Sequence, residues 1–390
     1  MMKPVLVTDA LLRKSLAAVR SIGRKGIPVY AAEATRLTPA GFSRYCTGSL
    51  RSPAPASEPE AFAEWLIETA GRFKGLVLLP MDDASVSVTL DHAAALEQRD
   101  CRFLIAERES FDLASDKYET TRLAQSLGMD CPGTWLPAGT EELPAIAAEA
   151  GFPLVVKPRS SSGSRGIRIV HNLADLQQAF GHAAEGAKLP MIQQYIPPGE
   201  RFDAALLFDT EGRLTASFVQ KELRHYPADI GPSTVQESVW MPELAEAAET
   251  LLRKLNWRGI AEVEWMRDPR DGRLKLMEIN PRYWNSLHLA IQSGIDFPSM
   301  HYRLILGERV HPVSTYAVGQ MARNLLPGDL LHAMSTRRLR SLNPPLIGTA
   351  GRPVEDDILS WQDPMATVGF AAACARYAFD IQMWKALFSR

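Results

Sequence analysis

Residues 259–282 read GIAEVEWMRDPRDGRLKLMEINPR. Two apolar-rich runs, Gly259–Arg267 and Leu274–Ile279, flank Pro269-Arg270-Asp271-Gly272, so the spacing predicts an antiparallel hairpin. Side chains alternate faces along a strand, which puts Glu278 and Asn280 on one face. Glu264 lies across the turn, where it can be brought opposite them, and Glu262 shares its face as a support. The long turn, Arg267–Arg273, leaves the pairing of Glu264 open by one register step. Two carboxylates and an amide oxygen suit Mg²⁺ that also holds phosphate oxygens. The plainer reading of the same residues is an edge strand whose acids are solvated.

Moving upstream, Lys157 ends Pro153-Leu154-Val155-Val156-Lys157-Pro158, a run expected to be buried, where an isolated ammonium is costly. The next segment, Ser160-Ser161-Ser162-Gly163-Ser164-Arg165-Gly166, is small and polar. Its backbone N–H groups can approach an anion closely, and its hydroxyls and arginine add donors. Taken alone it reads equally as a hairpin tip beside a snorkelling lysine, and no Walker A pattern is present. Met191–Ile196 predicts a short strand entering the Pro197-Pro198-Gly199 turn before Glu200. By itself that is an ordinary strand and turn.

The first hundred residues alternate strand and helix: strand Val5–Val7, a helix carrying Leu12, Leu16, Val19 and Ile22 and closed by Gly26, and strand Ile27–Ala31. Strand Gly75–Leu79, helix Ala84–Leu96 and strand Arg102–Ile105 follow, with Leu50–Pro59 a loop between the two halves. Such alternation favours a parallel sheet. Beyond residue 112 hairpins appear, Ala204–Phe208 with Leu214–Gln220 and then the hairpin quoted above, which places a domain boundary there. A chain of 390 residues carries two or three domains.

Lys+Arg 43 against Asp+Glu 45 leaves a net charge of -2, not the basic footprint of a general nucleic-acid binder. The 46% hydrophobic and 23% charged composition excludes a disordered chain. Cys46, Cys101, Cys131 and Cys374 stand far apart, so neither a zinc site nor a disulfide framework is expected. No run reaches the roughly 18–20 apolar residues of a membrane span, and Thr8-Asp9 interrupts the amino-terminal apolar run too early for a signal peptide. A cytoplasmic protein is the expectation.

The order of these pieces resembles the ATP-grasp superfamily of carboxylate–amine ligases, in particular proteins like the carbamoyl-phosphate synthase large chain and biotin carboxylase. Asp116-Lys117 precedes a helix, Lys157 precedes the Ser/Gly loop, a strand and turn lead to Glu200, and Glu264 and Glu278-Ile279-Asn280-Pro281-Arg282 follow. The resemblance covers roughly residues 4–310. It implies a mixed α/β and α+β fold: a parallel pre-ATP-grasp domain (1–112), an ATP-grasp lobe with a phosphate loop (113–195), a catalytic lobe with the metal site (196–310) and a helical extension (311–390).

The same resemblance implies site roles. Lys117 and Lys157 match the ATP-contacting lysines, and Ser160, Ser161, Ser162, Gly163, Ser164 and Gly166 the loop that closes over the triphosphate. Gln193, Gln194 and Ile196 match the adenine hinge, with Gln193 standing where glutamate is usual, and Glu200 matches the ribose acid. Glu264, Glu278 and Asn280 match the ligands of Mg²⁺ or Mn²⁺, and Arg282 an arginine near the transferred group. A carboxylate substrate would become an acyl phosphate and be joined to an amine. Lys221, Arg224 and His225 are candidates for holding a carboxylate, with a solvated loop as the alternative. Tyr283-Trp284-Asn285 line an acceptor pocket or belong to the core.

Past residue 310 the resemblance explains little. Phe370, Cys374, Tyr377, Ile381, Trp384 and Phe388 form one apolar stripe of a final helix, expected to pack on the body or across a homodimer, or else to dock on a membrane surface or a partner. Arg337, Arg338 and Arg340 form a small basic patch. Two rival readings remain. A non-catalytic ATP-binding regulator or scaffold would use the same cradle without turnover. A dinucleotide oxidoreductase fails because Val7-Thr8-Asp9-Ala10 lacks Gly-x-Gly-x-x-Gly.

Overall fold

The structure, a computed structural model, describes residues 2–160, 166–184, 188–228, 231–337, 342–346 and 353–377. Strands β1 (Val5–Val7), β2 (Val29–Glu33), β3 (Gly48–Arg51) and β4 (Val77–Leu79) form a parallel sheet in the order β3-β2-β1-β4. The helix Arg13–Arg24 buries Leu16, Val19 and Ile22 against it, as their spacing predicts, and Gly26 follows with φ +74°. The chain runs outward to β2 and β3 on one side of β1 and reaches β4 on the other. Ligand crevices of open α/β sheets form at such reversals, at the carboxyl ends of the strands. Asp9 and Asp82 stand just beyond the ends of β1 and β4.

The expected strand Arg102–Ile105 shrinks to a single bridge between Arg102 and Val77. The carbonyl of Leu104 turns away from the sheet to accept from His301 Nε2 at 2.7 Å. The helix expected over Ala84–Leu96 is likewise interrupted at His92, giving Asp83–Asp91 and Ala93–Glu97.

A second, antiparallel sheet has the order β5-β8-β6-β7: β5 (Thr134–Trp135), β6 (Leu154–Lys157), β7 (Arg168–Val170) and β8 (Met191–Gln194). The helices Leu143–Ala150 and Leu173–Ala184 cover one face, packing Leu143, Ile146, Leu176 and Phe180 onto Leu154, Val156 and Ile192.

The third sheet has seven strands: β9 (Arg201–Phe208), β10 (Leu214–His225), β11 (Ser233–Ser238), β12 (Gly259–Arg267), β13 (Leu274–Asn280), β14 (Met321–Arg323) and β15 (Val354–Asp356). Their order is β13-β12-β9-β10-β11-β14-β15. The last two strands come from the segment beyond residue 310, so that segment extends the sheet.

The final helix, Pro364–Tyr377, packs on the short helix Pro39–Phe42. Its buried residues are Ala366, Gly369 and Ala373 among the described residues, with Phe370 half-buried and Cys374 exposed. Of the expected large-residue stripe, Phe370 packs against the core and Cys374 faces outward. Gly369 sits where a Cβ would lie 2.5 Å from the carbonyl oxygen of Thr38, a separation that leaves no room for any side chain unless the backbone shifts. Ile381, Trp384 and Phe388, like Arg338 and Arg340, lie outside the described residues. Among the described residues no helix is long and apolar enough to cross a membrane.

Candidate functional site

The hairpin at 259–282 forms in the register that brings its acids together. Glu264 pairs with Glu278 and Glu262 with Asn280, and an irregularity follows between Glu264 and Trp265. The next strands prolong the row, since Glu264 also opposes Asp203 on β9, and Asp203 opposes Gln220 on β10. Opposed residues share a face, so Glu278, Glu264, Asp203 and Gln220 cross four strands side by side. Glu222 stands two residues along β10 from Gln220, on that face.

So many carboxyl groups cannot all ionise in one dry row. Burial, reinforced by the charges of Glu278, Glu262 and Glu222, holds the Glu264 carboxyl well above its ordinary value. Asp203 is raised in the same way, by burial and then by Glu222, Glu262 and Glu264. Glu262 is pushed up to about 8 by burial, against the pull of Arg282. Glu278 goes the other way: burial would raise it, but Lys117 and Lys157 together outweigh that and bring it below its ordinary value.

The two lysines arrive from different elements. Lys117 opens the helix Lys117–Ser126, whose N-cap Asp116 accepts from the backbone N–H groups of Tyr118 and Glu119. Its Nζ lies 2.9 Å from Glu278. Lys157 ends β6 and is buried. Burial and the neighbouring Lys117 charge lower it to about 8, while Glu278 and Glu264 oppose that shift. Arg159, Nη2 2.6 Å from Asp116, ties the strand and helix carrying the two lysines.

Asn280 is held from both ends. Its Nδ2 donates to Glu264 at 2.5 Å and Glu262 at 3.1 Å, and its Oδ1 accepts from Arg282 Nη2 at 2.9 Å. A carboxamide reverses by a half-turn, which would present Oδ1 beside Glu264. Among the described residues no three Asp, Glu, His or Cys side chains stand ready to hold a metal ion by themselves. The donor set is therefore mixed: two carboxylates and an amide, with other positions left to ligand oxygens, the pattern of Mg²⁺ sites at phosphates. The row gathers more carboxyl groups than cationic partners, an imbalance that a divalent cation would offset. The residues fit such an ion.

Glu264 and Glu278 line the floor of an open cleft, with a cavity of about 170 Å³, between the second and third sheets. Lys117 and Lys157 line it too, with Gln193, Gln194 and Ile196 along one wall and apolar Ile169, Met266 and Met277 on others. Gln193 donates to Thr134 Oγ1 at 2.9 Å. Glu200 stands outside this lining, half-exposed, in ion pairs with Lys221 and with Arg267 at 3.0 Å. Ser160 is exposed, and Gly166, at φ +76°, packs where a Cβ would lie 2.8 Å from Pro158. Ser161, Ser162, Gly163 and Ser164 lie outside the described residues.

The basic cluster expected to hold a carboxylate is occupied by the protein itself. Arg224 is buried in a two-pronged pair with Asp329, both contacts 2.7 Å, and donates to the carbonyl of Pro344. His225 Nε2 lies 2.7 Å from Glu222, and Lys221 is on Glu200. Tyr283 and Trp284 are core residues, with Trp284 edge-on to Phe297 and Tyr283 Oη 2.8 Å from His301. Only Asn285 is exposed. Arg282 does reach the metal candidates through Asn280, but its guanidinium also meets Asp83 at 3.1 Å, Asp82 at 3.3 Å and the carbonyl of Tyr283.

Asp203 and Glu222 stand on the same face as these acids, and strand reading misses them. An acid within the apolar run Arg201–Phe208 is the signal for Asp203, and it falls outside a strand begun at Ala204. Lys14 is also missed: fully buried, it bonds Asp82 at 2.8 Å and the Tyr283 carbonyl at 3.2 Å, joining the first domain to the site.

Residues 114–286 match the family described as ATP-grasp domain. The chain carries an ATP-grasp domain. Its relatives include the carbamoyl phosphate synthase large chain of Mesorhizobium japonicum, 28% identical over 269 residues, or 61% of this chain and 23% of that one. They also include the D-alanine–D-alanine ligase of Xanthomonas axonopodis pv. citri, 29% identical over 209 residues, or 50% of this chain and 65% of that one. The chain thus spans under two thirds of either. In fold, the ATP-grasp domain and its flanking segments resemble the biotin carboxylase–β,γ-ATP complex of Campylobacter jejuni, with TM-score 0.67, 19% identity, and coverage of 82% of this chain and 74% of that one.

Proposed function

We propose that the protein is an ATP-dependent ligase that activates an amino-acid-like carboxylate as an acyl phosphate and joins it to an amine, releasing ADP and phosphate. One observation carries the reading: Glu264 and Glu278 face each other across the hairpin on the floor of a cleft that two lysines also line.

Glu264, Glu278 and Asn280 would hold Mg²⁺ or Mn²⁺, which supplies charge neutralisation at the β- and γ-phosphates when bound. Lys157 places its ammonium against the remaining phosphate charge, and Lys117, paired with Glu278 until nucleotide arrives, is a second donor. Gln193, Gln194 and Ile196 form the adenine wall, and Glu200 reaches the ribose after exchanging its pairs with Lys221 and Arg267. Arg282, held by Asp82 and Asp83, would give up its bond to Asn280 Oδ1 when that oxygen turns to the ion. A substrate carboxylate oxygen attacks the γ-phosphorus and the bond to the ADP oxygen breaks. The amine nitrogen then attacks the acyl carbon, phosphate leaves, and the nitrogen gives up its proton. Water must be excluded between these steps because an acyl phosphate hydrolyses readily; Ser160–Gly166 is the segment assigned to that.

The test measures phosphate release with Mg²⁺, ATP and a panel of amino acids and small carboxylates. Release is expected to require one acid and one amine, and Glu278→Ala to lower it about 10³-fold with nucleotide-free melting nearly unchanged. Binding of ATP with no release for any pair would favour the non-catalytic regulator.

A further inference from the structure

The two lysines of the cleft belong to different packed bodies. Lys117 opens a helix whose Ala124 shares a core with Ala204, Val263 and Ile279 of the third sheet. Lys157 ends β6, whose Leu154 and Val156 are packed under the helices of the second sheet. Packing within either core leaves the spacing of the two ammonium groups open, so contacts between the bodies decide it.

Asp116 and Arg159 make such a contact. Asp116 immediately precedes Lys117, and Arg159 follows Lys157 by two positions. The guanidinium grips the carboxylate with two prongs, Nε donating to Oδ1 at 3.0 Å and Nη2 lying 2.6 Å from Oδ2. Such a pair fixes direction as well as distance. The Arg159 carbonyl in turn accepts from the backbone N–H of Lys117 at 2.9 Å, satisfying a donor that the first turn of a helix leaves open. The guanidinium also lies 5.7 Å from the centre of the Tyr118 ring and 3.4 Å from Glu119. Lys188, in the stretch leading into β8, brings an ammonium to 3.6 Å from Asp116. Asp116 is only 3% exposed, so its charge is matched by these cations rather than by water. Neither Asp116 nor Arg159 lines the cleft itself.

Resting on the nucleotide-binding part of the ligase reading, we infer that Asp116 and Arg159 are positioning residues that set the spacing of Lys117 and Lys157 at the phosphate end of the cleft. Each lysine is a near neighbour of the pair in sequence, so a shift of either body is passed straight to its ammonium. Donors held in place before a ligand arrives raise affinity for the groups they meet. The pair therefore strengthens the hold on the triphosphate and leaves the hold on the adenosine part unchanged.

The test uses the full chain and calorimetric titration with ATP in Mg²⁺ and, separately, with adenosine. Arg159→Met, which keeps an apolar stem beside Tyr118, is expected to raise the Kd for ATP about tenfold and to leave that for adenosine unchanged. Asp116→Asn retains an acceptor for the helix N-terminus and should do the same, which decides the matter where Arg159→Met disturbs folding. The double variant should bind ATP no more weakly than the weaker single one, since both changes break one contact. An Arg159 that met phosphate directly would be released by Asp116→Asn, so ATP binding as tight as in the wild type, or tighter, overturns the inference. Equal weakening for ATP and adenosine also overturns it, because a general loss of structure acts on both. If both variants bind ATP as the wild type does, the positioning role falls and the ligase reading stands. If the expected binding losses appear while no pair of substrates releases phosphate, the ligase falls and the positioning role stands. A wild type that does not bind ATP removes both.

Discussion

At the scale of single residues, the site places ionisable groups where water cannot settle their charges. Lys157, lowered to about 8 by burial and by Lys117, still carries its proton at neutral pH in the nucleotide-free protein. The KM for ATP is therefore expected to rise as pH climbs through about 8, and Lys157→Arg to push that rise to higher pH; the two pH profiles check it. His301 shows the same physics in a structural role. Burial between Tyr283 and the Leu104 carbonyl lowers it from 6.5 to about 4. The unfolded chain binds that proton first as pH falls, so stability is lost between pH 6.5 and 4, by roughly 3 kcal/mol. Denaturant titrations across that range should show a shallower acid limb for His301→Phe, although its stability at neutral pH is lower; an unchanged slope would refute the assignment. That Glu264, Glu278 and Asn280 come together was legible in the sequence, because an acid pattern of period two on a hairpin puts its members on one face. Arg224 was misread for the opposite reason. Three basic residues in five look like a solvated or ligand-binding cluster, and the buried partner Asp329 lies 105 positions away.

At the scale of elements, period and turn chemistry located most strands, and packing contacts decided the rest. The final helix illustrates this. Its large residues suggested the buried face, and Phe370 does pack on the core, yet Cys374 is exposed and the point of closest approach to Pro39–Phe42 is held by Gly369. Closeness of approach is a property of two elements and cannot be read from one. Gly369→Leu is expected to expel this helix, because its Cβ alone would lie 2.5 Å from the Thr38 carbonyl and 2.6 Å from Phe42 Cβ. Overpacking of this kind costs about 1–3 kcal/mol. Limited proteolysis should then cut near residue 364 while nucleotide binding persists; wild-type resistance would show that the helix is not held there.

At the scale of the whole molecule, the segment beyond residue 310 is clamped to the rest by buried charge. Asp363 accepts from Arg20 Nε at 2.8 Å, from Ser43 Oγ at 2.7 Å and from the backbone N–H of Arg44 at 2.9 Å. Arg20 also donates to the carbonyls of Asp357 and Ile358. Removing one partner of such a buried pair costs about 3–5 kcal/mol, so truncation before Asp363 should abolish cooperative folding of the first domain as well, seen as loss of a single thermal transition. A shortened chain that melts like the intact one would refute the clamp.

The strand order β11-β14-β15 has a consequence for biosynthesis. A ribosome releases β9 to β13 well before β14, so the open edge of β11 waits, unpaired, for a partner made late. During that interval the nascent chain offers hydrogen-bonding groups to any extended peptide nearby. Translation pauses before residue 320 would lengthen the exposure, and overproduction should lose the most protein to aggregation when synthesis there is slow.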